Sequence, residues 1–386
     1  MGVGVSRRRI LHITTFLQGG AGRIVADLAC RQRADGWRPI VACASAPVEG
    51  YGHYQQWLDQ LADHEVPVVP VSCTFRRSPA HAEGARAALE RLDAQGEFAL
   101  VHAHAAVPAS LALQLPARPP VLATMHGWNA AKSVEHAAHD VAVFNRLPVV
   151  VVPSSASARH LRAAGVEPER LRVIPYGVAP PVVRGLEAAE RARIEGWRAQ
   201  GRLVAVCVGS VGMRKRQATL LEALARAEVR DRLACVFVGE GPDLPSFESR
   251  ARALGLDAST AFLGYRRDVG DWLASADLAV FPSSREGLPV TLLEAAALGC
   301  VVVATSIPEH LEVIEPGATG LTCVADDADS LAGALLRLLT LEPAGRRALG
   351  TRLRQRWEAA HRPDAMVRAY QTLYDQLISA RSPSRH

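Results

Sequence analysis

Lysine is almost absent from this 386-residue chain: of 44 basic residues, only Lys132 and Lys215 are not arginine. A side chain used so sparingly makes its two positions informative. Net charge is also scant, at +5. Residues 1–180 carry 18 Lys+Arg against 14 Asp+Glu, and residues 181–386 carry 26 against 25. No basic block is dense enough for a nucleic-acid footprint, so no nucleic-acid partner is expected. The small N-terminal excess suits an anionic ligand or peripheral contact with an anionic membrane. The seven cysteines form no C-x-x-C pair. They lie mostly in apolar runs and read as buried thiols of a reducing compartment rather than disulfides or metal ligands. No apolar run reaches 18 residues, and the stretch after Arg7-Arg8-Arg9 is short and broken by His12. Neither a membrane span nor a secretory leader is expected, which points to the cytoplasm or the inner face of its membrane. There is no G-x-G-x-x-G dinucleotide fingerprint and no G-x-S-x-G nucleophile turn.

What is present is a repeated alternation. With 49% apolar and 22% charged residues, the composition is globular, and the length suits two domains. Apolar runs at 10–13, 40–44, 66–71, 99–101, 121–124, 149–152 and 171–174 read as strands separated by amphipathic helical segments. The pattern pauses over 177–185, which holds Pro180-Pro181, and this segment reads as a linker. It restarts with runs at 203–208, 235–238, 261–263, 278–281, 301–304 and 320–323. Continuous apolar strands alternating with helices imply parallel sheets covered on both faces, the doubly wound α/β pattern. The expected domains are 1–178 and 179–362, with an amphipathic helix after residue 362 that has no strand of its own.

In such sheets ligands bind beyond the carboxyl ends of strands, near helix N-termini. The strongest candidate segment runs from Phe281 to Glu294. Gly287 lets backbone approach a ligand, Leu288 and Pro289 lead into a helix with Pro289 as its first residue, and the amides near Val290 and Thr291 are free to hold a diphosphate. Glu286 and Glu294 offer carboxylates for sugar and ribose hydroxyls. A second segment, Gly209-Ser210-Val211-Gly212-Met213-Arg214-Lys215, follows a strand and opens a helix. Lys215 can set a compact charge on a phosphate. A third, with Gly19 and Gly20, follows the first strand and resembles a weak phosphate loop. His126 ends the strand at 121–124 and can hydrogen-bond a sugar or move a proton; His102 and His104 read as histidines satisfied by backbone. Asp326 and Asp327 read as helix N-caps rather than metal ligands, and no metal or other cofactor is expected.

Taken in order, the segments GGAGRIVADLA, MHG, VIPYGV, VGSVGMRKRQATLLEALA, VFVGEGPDL, YRRDVGDWLASADLAVFPSSREGLPVTLLEAAALG and EPGATGL resemble the retaining GT-B glycosyltransferases of family GT4 over nearly the whole chain. The resemblance implies two Rossmann-like domains. The C-terminal one holds a nucleotide-sugar donor, UDP-sugar ahead of GDP-sugar, and the N-terminal one holds a sugar, lipid-linked or small-molecule acceptor. It implies that residues 363–386 cross back to pack on the first domain. By position, Lys215 holds the diphosphate, Glu286 contacts the donor sugar and Glu294 the ribose. Gly20 approaches the leaving phosphates and His126 lies beside the transferred sugar. Backbone near Tyr265 and Arg266 reads the base, and Gly239 and Gly241 line the nucleotide side. The implied activity is metal-independent transfer of a hexose-type unit with anomeric retention, in polysaccharide, glycolipid or natural-product synthesis. Ser210 stands where the family often has Arg, with Arg214 as a substitute charge. Ser306-Ile-Pro-Glu-His310 replaces the usual double glycine, with Glu312 matching a family acid. The Ser210 departure keeps open a non-catalytic sugar-nucleotide-binding subunit as the alternative.

Overall fold

The computed structural model describes residues 8–48, 52–74, 79–94, 98–128 and 132–381; the polar tail 382–386 lies outside them. The chain forms two compact units, Met1–Gly177 with Pro363–His386, and Val178–Arg362.

In the first unit seven parallel strands lie in the order β3-β2-β1-β4-β5-β6-β7. They are β1 (Arg9–Ile13), β2 (Arg38–Cys43), β3 (Val68–Pro70), β4 (Leu100–His104), β5 (Val121–Thr124), β6 (Val150–Val152) and β7 (Leu171–Val173). β4 and β5 are buried along their whole length, as strands of a sheet covered on both faces must be. Strand order reverses between β1 and β4, whose register sets His12 opposite His102. The second unit repeats the scheme with six parallel strands in the order β10-β9-β8-β11-β12-β13. They are β8 (Leu203–Val208), β9 (Leu233–Val238), β10 (Thr260–Phe262), β11 (Leu278–Phe281), β12 (Val302–Thr305) and β13 (Leu321–Cys323). Here the reversal falls between β8 and β11. Each reversal opens a crevice at the carboxyl ends of its two central strands.

The terminal helix Pro363–Arg381 buries Met366, Val367, Tyr370, Leu373 and Tyr374. These positions recur at helical spacing and make one apolar face. That face packs on the helix Gly19–Ala34 and on β4 of the first unit, and Arg31 pairs with Asp364 at 2.7 Å. In the second unit the segment after Gly177 is tied down by Asp271, whose carboxylate accepts from the amides of Arg184 and Gly185.

Two local features differ from the sequence-based expectation. A long helix, Pro343–Ala360, was not expected; it packs on Val290–Leu298 and buries Leu349, Leu353 and Trp357. Pro289 is the N-cap and not the first helical residue; its ψ of 111° is extended. All seven cysteines are free thiols and six are buried. Burial pushes thiols such as Cys43 and Cys73 up to about 12, which keeps them protonated and unreactive. Among the described residues no helix is long and apolar enough to cross a membrane.

Candidate active site

The second unit gathers the strongest candidates at its strand reversal. β8 ends at Val208 and β11 at Phe281, and the loops that follow carry Lys215 and Glu286. Lys215 Nζ donates to Glu286 Oε1 at 2.6 Å, and Arg214 Nη1 donates to Oε2 at 2.7 Å. The Glu286 side chain is 6% exposed, against 18% for Lys215 and 50% for Arg214. Burial pushes the Glu286 carboxyl up. The opposing pull of the Lys215 and Arg214 charges, with hydrogen bonds from Lys215 and Ser283, outweighs it and holds the group down at about 2. Glu286 is therefore ionised at neutral pH, in contact with two cations. A buried charge tolerates this only while paired.

Glycines let the neighbouring loops meet. Gly209 donates its amide to Val238, Val211 to Glu240, and Gly239 to Gly264, so the turns after β8, β9 and β10 are stitched backbone to backbone. A Cβ on Gly239 would lie 2.0 Å from the Gly209 carbonyl oxygen, and one on Gly241 would lie 2.0 Å from that of Val211. The two glycines seat this floor by close packing. Arg216 sits at φ 53°, left-handed, just before the helix Gln217–Leu224; a non-glycine residue there costs roughly 1–2 kcal/mol. Gln217 holds the loop closed by donating to the Ser210 carbonyl at 3.0 Å. The Ser210 residue itself is exposed.

The helix Val290–Leu298 leaves its first amides, including those of Val290 and Thr291, without partners inside the helix. Its N-terminus carries positive dipole character. Glu294 is buried on the same helix. Tyr265 and Arg266 follow β10 by three and four residues. The Arg266 guanidinium forks onto Asp268 at 2.8 and 2.6 Å and also reaches Glu190 at 2.9 Å. These carboxylates raise its already high pKa, and the side chain is engaged by acids.

A residue not singled out beforehand completes this end of the unit. His310, fully buried, sits with Nδ1 2.9 Å from the Thr305 carbonyl oxygen and 3.0 Å from Thr305 Oγ1. Thr305 Oγ1 donates in turn to the Ser283 carbonyl at 2.5 Å. Burial lowers the imidazole to about 4, so it is neutral. It braces the loop that carries Glu286. Glu312 caps a short helix and is half-buried, whereas Glu309 in the same segment is buried. Asp327 is the N-cap of Ala328–Thr340, accepting from Ser330 N at 2.8 Å. An open concavity of about 340 Å³ lies elsewhere in this unit, at the amino ends of β8 and β11, lined by Leu186, Arg191, Ile194, Arg198 and Asp277. It is remote from these loops, and Arg198 pairs with Asp277 across it.

The first unit presents a different chemistry at its own reversal. Gly19 begins the helix Gly19–Ala34 at φ 55°, with Gly20 next in its first turn. A Cβ on Gly19 would meet no neighbour within 4 Å, so this turn is open. His126 follows β5. Its Nε2 lies 3.0 Å from His104 Nδ1 and its Nδ1 lies 2.6 Å from the Tyr176 hydroxyl. Both ring nitrogens are thus engaged within the unit. His104 continues to His12 at 3.1 Å, and His12 to Gln32 Oε1 at 2.7 Å. His102 lies 2.8 Å from the Tyr374 hydroxyl and 2.7 Å from Thr124 Oγ1. The expectation that His102 and His104 are satisfied by backbone is corrected: their partners are side chains. Burial lowers His12 and His126 to about 4, and His102 and His104 well below the usual histidine value. Ring nitrogens of His12, His102 and His104 lie within 4.8 Å of one another. Each is already in a hydrogen bond, so the spacing is that of a hydrogen-bonded cluster. Ala105, next after His104, is held at φ 115°, a region that costs about 1–3 kcal/mol outside glycine.

Comparison with known proteins gives this geometry a family. The profile of "Glycosyl transferases group 1" matches residues 202–341, and that of "Glycosyltransferase Family 4" matches residues 18–180. Among curated relatives, D-inositol 3-phosphate glycosyltransferase of Kribbella flavida is 27% identical over 80% of this chain and 74% of its own. N-acetyl-alpha-D-glucosaminyl L-malate synthase of Bacillus anthracis is 29% identical over 42% of this chain. That match spans less than half, 43%, of the relative's length. Among solved structures, Anabaena HepE in complex with UDP and glucose superposes with a TM-score of 0.81 at 19% identity, covering 95% of this chain and 99% of that one. The chain belongs to the family 4, group 1 glycosyltransferases, and its two parallel-sheet units are those of the GT-B fold.

Proposed function

We propose that the protein transfers a hexose-type sugar from a nucleoside-diphosphate sugar, a uridine donor ahead of a guanosine one, to an acceptor hydroxyl with retention of anomeric configuration. The carrying observation is the buried Glu286 carboxylate held between Lys215 and Arg214 at the β8/β11 reversal. A carboxylate there can accept hydrogen bonds from sugar hydroxyls, and the cations beside it are placed for phosphate oxygens. The UDP and glucose bound by the Anabaena relative support a uridine donor.

In the proposed step the bond from the anomeric carbon to the diphosphate oxygen breaks, and a bond to the acceptor oxygen forms on the same face. The acceptor proton passes to the departing phosphate oxygen, so no separate protein base takes part. Lys215 and the amides of Val290 and Thr291 stabilise the negative charge that develops on the leaving group. That arrangement does without a metal. The acceptor belongs with the first unit, where His126 lies beside the transferred sugar. Both its ring nitrogens are engaged, which makes it a held wall rather than a proton carrier.

Calorimetric titration with UDP, GDP and ADP, each with and without Mg²⁺, tests the donor reading. Selective, metal-independent binding of UDP is the expected result. A strict Mg²⁺ requirement would overturn the metal-free step. No binding of any nucleotide by folded protein would remove the donor site itself.

A further inference from the structure

Nine polar side chains of the first unit form one unbroken chain of hydrogen bonds. It runs Tyr176, His126, His104, His12, Gln32, Tyr374, His102, Thr124, Tyr370, with successive separations of 2.6, 3.0, 3.1, 2.7, 3.2, 2.8, 2.7 and 2.9 Å. Three of its members, Tyr370, Tyr374 and Gln32, come from the terminal helix and the helix Gly19–Ala34. Gln32 is 3% exposed and Tyr370 and Tyr374 are each 1% exposed.

Each imidazole in this chain passes a direction to the next. A neutral imidazole donates from one nitrogen and accepts at the other, so it transmits the direction its neighbour imposes, whereas a hydroxyl, with one proton and two lone pairs, takes either direction. A carboxamide cannot: its oxygen only accepts and its nitrogen only donates. Gln32 is the one carboxamide in the chain. Its oxygen faces His12 Nε2 and its nitrogen faces the Tyr374 hydroxyl.

From that single asymmetry the rest follows. His12 must donate from Nε2, which leaves Nδ1 to accept from His104 Nε2–H. His104 Nδ1 then accepts from His126 Nε2–H, and His126 Nδ1 accepts from the Tyr176 hydroxyl. On the other side, the Gln32 amide donates to Tyr374, and the hydroxyls of Tyr374 and Thr124 can meet His102 in either tautomer. His12, His104 and His126 take the same tautomer. The Gln32 amide turned end for end would satisfy the chain equally well with these three reversed.

We infer that Gln32 is a positioning residue which, acting through His12 and His104, fixes the tautomer and ring orientation of His126. The inference rests on the reading of His126 as a residue beside the transferred sugar. Its structural half stands apart from that reading and is measured separately.

The test is the ¹⁵N spectrum of the whole protein labelled at histidine, which distinguishes a protonated from a bare ring nitrogen. The expected result is one shared tautomer, Nε2–H with a bare Nδ1, for His12, His104 and His126, assigned by single His→Gln variants. A mixture of tautomers among these three would overturn the inference, whereas a shared Nδ1–H tautomer would support it with the Gln32 amide turned end for end. A change of these signals on adding Zn²⁺ would overturn it as well, because the lone pairs would then be available to an ion. The second arm is Gln32→Leu, which keeps the packing volume and removes the asymmetry. His126 is expected to show two tautomers in place of one, with kcat lower by about tenfold and donor KM unchanged. A Gln32→Leu enzyme with a single unchanged His126 tautomer would defeat the proposal. If the labelled protein shows the three matched tautomers but no transferase activity is found with any donor, the functional reading fails and the chain direction stands.

Discussion

The two units place polar groups at the same point of the same topology and stabilise them in opposite ways. In the second unit the β8/β11 reversal holds a formal charge, with Glu286 ionised between Lys215 and Arg214. In the first, the β1/β4 reversal holds four histidines that burial keeps neutral, joined to tyrosines and an amide. An ion triad with a half-exposed member can trade partners when a diphosphate arrives, because its cations carry charge that phosphate also wants. A chain of neutral donors and acceptors has nothing to trade. It holds a shape.

The largest effect expected from breaking this contrast is in Glu286→Ala. Turnover should fall by about 10²–10³-fold, while calorimetric affinity for UDP changes by less than about tenfold. Equal losses in both would mean Glu286 serves the nucleotide rather than the sugar. Lys215→Ala should cost affinity more than Arg214→Ala does, since the Arg214 side chain is half exposed and its pairing is screened.

Acidification should separate the units next. Buried histidines with folded values near 4, against an ordinary value of 6.5, favour the neutral form in the fold. Their contribution is fully present above pH 6.5 and is lost as pH falls from there toward 4. The slope is up to about 1.4 kcal/mol per pH unit for each histidine that the unfolded chain protonates. Glu286, depressed to about 2 from 4.5, contributes stability above 4.5 that is lost only as pH falls toward 2. His310 in the second unit is lowered to about 4 as well and loses its contribution in the same window, but it is one histidine against four. Hydrogen exchange read unit by unit should therefore show the first unit losing more protection between pH 6.5 and 4 than the Glu286 loop. Equal losses in both would break the comparison.

The last contrast concerns glycine. Gly239→Ala drives a methyl onto the Gly209 carbonyl and should cost about 3 kcal/mol or more in denaturant unfolding. Gly19→Ala meets open space and should cost only the left-handed strain, about 1 kcal/mol. If the two variants were equally destabilised, the stitched floor described for the second unit would be no tighter than the open turn of the first.

Much of this was legible in the sequence where side-chain type and burial agree. The apolar runs at 121–124, 203–208 and 278–281 coincide with β5, β8 and β11. β4 runs on to His104, beyond the apolar run at 99–101, because His102 and His104 are polar by type yet buried by partners on other elements. Helix Pro343–Ala360 was hidden by its arginines, with Leu349, Leu353 and Trp357 too sparse to stand out. Lys215 and Glu286 were each legible as site residues, but their pairing was not, because it depends on β8 and β11 being neighbours. Gln32 gave no signal, since its partners are 20 and 342 residues away, and no local pattern encodes such separations.

The terminal helix has a consequence for how the molecule comes into being. A chain leaving the ribosome makes the first unit's strands first, yet Tyr370 and Tyr374 emerge only after the whole of the second unit. Until then Gln32, His102 and Thr124 lack the tyrosine hydroxyls they meet in the fold, and the face of β4 that the helix covers stays wet. The second unit, encoded without interruption, is free to fold while the older half is still waiting for that helix.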